Sequence, residues 1–191
     1  MEASTRQKEK KTGHMSVRDM ALVPVFSVLI AVCAWVSIPA PVPFTMQTFG
    51  VFFTLVLLGG KRGVWAVAVY LLLGAIGVPV FAGFAGGPGV LLGMTGGYLM
   101  GFLLVALTYW LMTALLGERL WVAVAALSVG LLLCYVFGTA WFLMASGKTG
   151  NPMGLTAALG YCVLPFLLPD GVKLALALAL GRKLKPRLKL D

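Results

Sequence analysis

Residues 120–145 read LWVAVAALSVGLLLCYVFGTAWFLMA, without one charged side chain. At ~1.5 Å of rise per residue, a helix of this length crosses the roughly 30 Å hydrocarbon core of a bilayer. Five further apolar runs flank it: 20–38, 47–60, 63–77, 98–116 and 155–180. Together they predict an all-α integral membrane protein of six transmembrane helices. Pro39, Pro41 and Pro43 forbid continuation of the first helix. The run at 47–60 is short for a crossing, so the proline-rich loop before it is expected to dip into the membrane. The last run is expected to be interrupted near Pro165 and Pro169, and Asp170 and Lys173 share a helical face if helix resumes at the second.

Composition agrees with the runs. Of 191 residues, 60% are hydrophobic and 11% charged, with a mean hydropathy of +0.98. Soluble domains carry roughly 25% charged residues, so this chain lacks the polar surface to stay in water. One membrane domain over 16–184 is expected, between a basic, disordered N-terminal tail at 1–15 and a basic C-terminal tail at 185–191. Charge is scattered through 1–15 with no apolar stretch, unlike a signal peptide, and Gly13-His14-Met15 reads like a cloning remnant.

The net charge of +9 does not point to nucleic acid, because the cations sit at the ends of apolar runs. With the N-terminus cytoplasmic, thirteen of the 15 basic residues fall inside: Arg6, Lys8, Lys10, Lys11 and Arg18, then Lys61, Arg62 and Arg119, then Arg182, Lys183, Lys185, Arg187 and Lys189. The positive-inside bias therefore predicts both termini in the cytoplasm. The loops at 39–46, 78–97 and 146–154 then share the external side, where glycine- and proline-rich backbone is expected to cap a ligand pocket. Non-helical backbone at membrane depth is tolerated where it lines a cavity.

Within the last run stand Asp170 and, three residues on, Lys173. A charge at the bilayer centre costs about 2.5–3.5 kcal/mol on insertion scales, so an intramembrane pair invites a functional reading. The pair offers an acceptor and a cationic donor to a small ligand with N–H groups and a carboxylate; a self-satisfied ion pair holding two helices is the structural alternative. Thr45, Gln47 and Thr48 enter the second helix from the first external loop. Thr95 and Tyr98 enter the fourth from the glycine loop, Tyr98 with a ring face for a flat ligand or as an interfacial aromatic like Trp110 and Trp121. Ser27 and Ala31 form a small-xxx-small pair, suited to close helix approach within the chain or with a partner.

Several chemistries lack their residues. Cys33, Cys134 and Cys162 share no metal spacing, and the one histidine, His14, lies in the tail. No phosphate-binding GxxxxGK[ST] segment is present, and no Ser–His or Cys–His arrangement supports covalent catalysis. Neither metal nor cofactor is expected. Binding or transport fits these residues better than catalysis.

Motifs along the chain resemble the BioY family. They are Pro41-Val42-Pro43-Phe44-Thr45-Met46-Gln47-Thr48, the run from Tyr70 through Gly77-Val78-Pro79 to Phe84, Gly93-Met94-Thr95-Gly96-Gly97-Tyr98 with Gly101-Phe102, and Leu164-Pro165-Phe166 with Pro169, Asp170 and Lys173. Their order over about 17–183 is more specific than any one of them. The resemblance implies the biotin-specific S component of an energy-coupling factor (ECF) transporter in the bacterial cytoplasmic membrane. Such a component has six helices, binds biotin from outside, docks to a transmembrane coupling subunit driven by two ATPase subunits, and releases its ligand by toppling in the bilayer. It implies biotin contacts at Asp170 and Lys173, pocket-lining roles for Thr45, Gln47, Phe84, Gly86 and Tyr98, and a docking motif aligned to Ser27 and Ala31. Ser27 departs from the family's alanine there, and Met94 stands where proline is common. The competing expectations are an S component for another vitamin, an intramembrane enzyme using Asp170 as acid or base, and an assembly subunit that needs the pair for packing.

Overall fold

The computed structural model describes residues 17–40, 42–148, 150 and 153–187; the expected N-terminal tail at 1–15, and 188–191 of the expected C-terminal tail at 185–191, lie outside them. Helix α1 (Val17–Trp35) leads into a two-stranded hairpin, β1 (Ser37–Ile38) and β2 (Phe44–Thr45), paired antiparallel with Ser37 opposite Thr45. The first helix thus stops three residues short of the expected end, because 37–38 pair with 44–45 rather than continue toward Pro39. The hairpin delivers the chain to α2 (Gln47–Leu58), where the Thr45 hydroxyl accepts the Gln47 N–H at 3.2 Å.

Gly59, at φ +79°, turns the chain directly into α3 (Gly60–Ala75). The left-handed backbone there suits glycine, and Gly63 packs against Leu55 to close the hairpin of helices. The segment from 76 to 95 carries a single 3₁₀ turn (Ala82–Phe84) and a short helix α4 (Pro88–Leu92). Two long helices follow, α5 (Gly96–Leu116) and α6 (Leu120–Lys148), the most closely packed pair in the molecule. Gly97 faces Trp141, Gly101 faces Cys134 and Gly130 faces Val105, each with no room for a Cβ. Small residues at four-residue spacing let membrane helices approach this way.

The last run divides into α7 (Leu155–Cys162) and α8 (Leu164–Leu184). The break falls at Val163 (φ −123°, ψ −58°), two residues before Pro165, and the helix continues through Pro169. Pro165 sits in the first turn of α8, where its missing N–H costs nothing, and Pro169 lies inside a helix that has already begun. The expected interruption near Pro165 is thus present, and the one expected near Pro169 is corrected.

Among the described residues, four segments are long and apolar enough to cross a membrane: Arg18–Trp35, Gly96–Leu116, Leu120–Lys148 and Leu155–Leu184. Between the first two lie the shorter α2 and α3, of 12 and 16 residues. Large apolar side chains point outward all round, Leu168 being 81% exposed, as befits a surface meeting lipid rather than water. Inside, Ile30, Phe52, Leu55, Val67, Tyr70, Phe81, Val105 and Leu127 form one continuous core. α8 packs on α2, α1 on α2 and α3, and α3 on α5, while α6 and α8 scarcely meet.

Candidate functional site

Asp170 and Lys173 lie one turn apart on α8, with Lys173 Nζ donating to Asp170 Oδ1 at 2.7 Å. Both are buried, at 3% and 4% exposure. The second carboxylate oxygen, Oδ2, accepts the hydroxyl of Tyr135 from α6 at 2.7 Å. Both carboxylate oxygens of Asp170 are therefore engaged by donors, as burial of such a group in an apolar setting requires. The Lys173 ammonium also lies 4.3 Å above the ring of Phe44, which stacks with Phe166 at 5.9 Å. The cation is thus held between a carboxylate and an aromatic face.

Tyr135, Phe166, Asp170 and Lys173 form one wall of a cavity of about 140 Å³. The hairpin and the start of α2 supply Thr45, Gln47 and Thr48; the start of α5 supplies Thr95 and Tyr98. The Gln47 side-chain amide donates to the Tyr70 hydroxyl at 2.8 Å, which fixes its orientation. Tyr98 and Thr139 share a hydrogen bond of 2.9 Å between their hydroxyls. Phe81, Val90, Leu99, Phe102 and Leu131 make the remaining wall apolar. The cavity thus offers a cation and several hydroxyl and amide groups around an apolar interior, suited to a small amphipathic ligand with polar groups at defined places.

Of the predicted site residues, Asp170, Lys173, Tyr98, Thr45 and Gln47 converge on this cavity, joined by Thr48 and Thr95. Phe84 and Gly86 do not. Phe84 is 64% exposed and stacks on Trp35 at 5.0 Å outside the cavity, while Phe81 and Ala82 of the same loop line it. Gly86 sits against the chain at Val78, whose carbonyl oxygen lies 2.4 Å from where a Cβ would be, so its glycine serves close passage of two strands of loop. Ser27 and Ala31 turn inward as well. Ser27 is 1% exposed and donates to the carbonyls of Val23 (2.9 Å) and Ala66 (2.8 Å). The small-xxx-small pair seats α1 on its own bundle, and a partner cannot reach it in this arrangement.

Sequence reasoning missed Tyr135. It lies in the middle of the charge-free run 120–145, where an isolated hydroxyl carries no local signal of its partner on another helix. Phe44 stood in a quoted motif without a role; its contact with Lys173 needs the hairpin. Cys134 and Cys162 are buried beside the cavity as free thiols. Among the described residues, no group of three His, Cys, Asp or Glu side chains is arranged to hold a metal.

Residues 6–190 match the model of the BioY family. A biotin transporter BioY of Thermotoga maritima is 44% identical over 155 residues, covering 81% of this chain and 78% of that protein. A probable biotin transporter BioY of Pyrococcus horikoshii is 37% identical over 172 residues, covering 90% and 98%. The fold is similar to the crystal structure of the S-component for biotin from an ECF-type ABC transporter, with a TM-score of 0.77 and 25% identity over 91% of this chain and 95% of that one.

Proposed function

The chain belongs to the BioY family, and from that premise we infer that it takes up biotin across the membrane as the substrate-specific S component of an ECF-type ABC transporter. It is a transport subunit, not an enzyme, as are its named relatives. The observation that carries this reading to the residues is the buried Asp170–Lys173 pair facing a cavity at one end of the bundle. Biotin combines a cyclic urea, an apolar chain and a carboxylate. The hydroxyl and amide groups of Thr45, Gln47, Thr48 and Tyr98 suit the urea, the apolar wall suits the chain, and Lys173 suits an anion. An acid–base role for Asp170 is disfavoured, since both of its oxygens are engaged.

Six crossings with both ends cytoplasmic fit the geometry. At the end opposite the cavity, Asp19 pairs with Arg62 at 2.7 Å and Glu118 with Lys185. These pairs gather the start of α1, the α2–α3 turn, the α5–α6 turn and the end of α8. Lys61, Arg119, Arg182 and Lys183 belong to the same end, and cations in short loops favour the cytoplasm. The cavity then faces outward beneath the hairpin and the 76–95 segment. A membrane coupling subunit and two ATPase subunits would supply the energy, since the sequence has no phosphate-binding loop. The ligand is biotin, without a cofactor, and the setting is the cytoplasmic membrane.

The test is titration calorimetry of the detergent-purified chain with biotin, riboflavin and thiamine. Selective binding of biotin is expected. Selective binding of another vitamin by a folded, ligand-stripped preparation would overturn the substrate assignment.

A further inference from the structure

The backbones of α6 and α8 scarcely meet, because α6 lies along α5 and α8 along α2. Yet the cavity needs both, one for Leu131, Cys134 and Tyr135, the other for Phe166, Asp170 and Lys173. The Tyr135 hydroxyl spans that seam to Asp170 Oδ2, while Lys173 takes Oδ1 from within α8. The terminal torsion of an aspartate is broad and roughly two-fold. One donor on its own helix leaves the carboxylate plane free to turn, and a second donor from another helix fixes it. An ammonium carries three N–H bonds, and the direction of the one given to Asp170 determines where the others point. Tyr135 is itself buried and lines the cavity, so no rearrangement is needed for it to act.

We propose that Tyr135 is a positioning residue for substrate capture: its hydroxyl fixes the Asp170 carboxylate, thereby aims the Lys173 ammonium into the cavity, and clasps α6 to α8 across the seam. This rests on the reading of the cavity as the biotin site.

The test has two arms. The first is a double-mutant cycle on biotin affinity by calorimetry, comparing wild type, Tyr135→Phe, Asp170→Asn and the double variant. Phenylalanine keeps the ring and removes the hydroxyl. Tyr135→Phe is expected to weaken biotin about three- to fifteenfold, the range of hydrogen bonds between membrane helices. In the Asp170→Asn background the same change should cost about twofold or less, because its partner is already altered. A residue that merely fills space would lose equally in both backgrounds. The second arm needs no ligand. In a Cys33→Ser background, the empty protein is labelled with N-ethylmaleimide at Cys134 and Cys162. Tyr135→Phe should speed labelling several-fold as the seam loosens. Equal losses in both backgrounds, no loss at all, or an unchanged labelling rate overturns the proposal. Failure of wild type to bind biotin overturns the substrate reading instead, and the labelling arm still decides the role of Tyr135.

Discussion

Replacing Lys173 by methionine removes the ammonium while keeping an unbranched chain of similar length against Phe44, so packing changes little. Asp170 then remains buried at 3% exposure with Tyr135 as its donor. Removing one partner of a buried ion pair costs about 3–5 kcal/mol, chiefly because the other charge is stranded. The lost cation–π contact with Phe44 adds about 0.5–2 kcal/mol. For a chain of this size each kcal/mol moves the melting midpoint by about 2–4 °C, so even about 3 kcal/mol predicts a fall of about 6–12 °C. Adding Asp170→Asn removes the stranded charge and should restore most of that midpoint, since replacing both partners is often near neutral. Biotin binding should return in neither variant. Thermal melting and calorimetry on the detergent-purified proteins separate the two effects. A double variant as unstable as Lys173→Met alone would refute the argument that a stranded carboxylate sets the cost. A stable double variant that binds biotin like wild type would remove the pair from the site.

Three further substitutions test the remaining assignments. Gly138→Ala places a Cβ 2.2 Å from Cδ1 of Tyr98, whose hydroxyl Thr139 holds; the ring must shift within the cavity it lines, and biotin affinity should fall by about tenfold at an overpacking cost of about 1–3 kcal/mol. Unchanged calorimetry would take Tyr98 out of the binding surface. Phe84→Ala should leave biotin affinity within about twofold, as expected of an exposed position, and a tenfold loss in the same titration would return Phe84 to the site. Ser27→Leu forces a larger side chain into the α1–α3 contact and removes the bond to Ala66; the melting midpoint should drop, again by about 1–3 kcal/mol in stability. Intact melting with selective loss of co-purification with a coupling subunit would restore Ser27 to a docking role.

The longest elements were legible because lipid imposes a simple rule. The charge-free run 120–145 is all but the last three residues of α6, and the run 98–116 is all but the first two of α5. What the rule does not encode is where a helix bends within lipid. The last run does break near Pro165, at Val163, but the helix runs on through Pro169, where a second interruption was expected. The loop residues show a second limit. Phe81 and Phe84 are three apart around a 3₁₀ turn and would share a face if the backbone were regular. Phe84 instead adopts φ +58° after Gly83 at +68°, which turns its ring away from the cavity and onto Trp35. The ionisable pair was legible from its cost in the membrane, whereas Tyr135 depended on how α6 and α8 stand beside each other, which no local pattern carries.

Three acid–base pairs among the described residues differ in a way that supports the proposed binding role of the buried one. Asp19–Arg62 joins α1 to α3, and Glu118–Lys185 joins the α5–α6 turn to the end of α8. Both are partly exposed, and such pairs contribute about 0–1 kcal/mol, but each ties together elements distant in sequence. Asp170–Lys173 does the opposite. It carries the largest desolvation cost of the three, and its partners are three residues apart on one helix, so the pair alone fastens nothing to anything. A structural role would favour two apolar side chains there. The link to the rest of the bundle comes from Tyr135, and the remaining N–H bonds of Lys173 have the cavity beside them. A pair that costs stability, by itself fastens no second helix and borders a cavity is what the proposed binding role calls for.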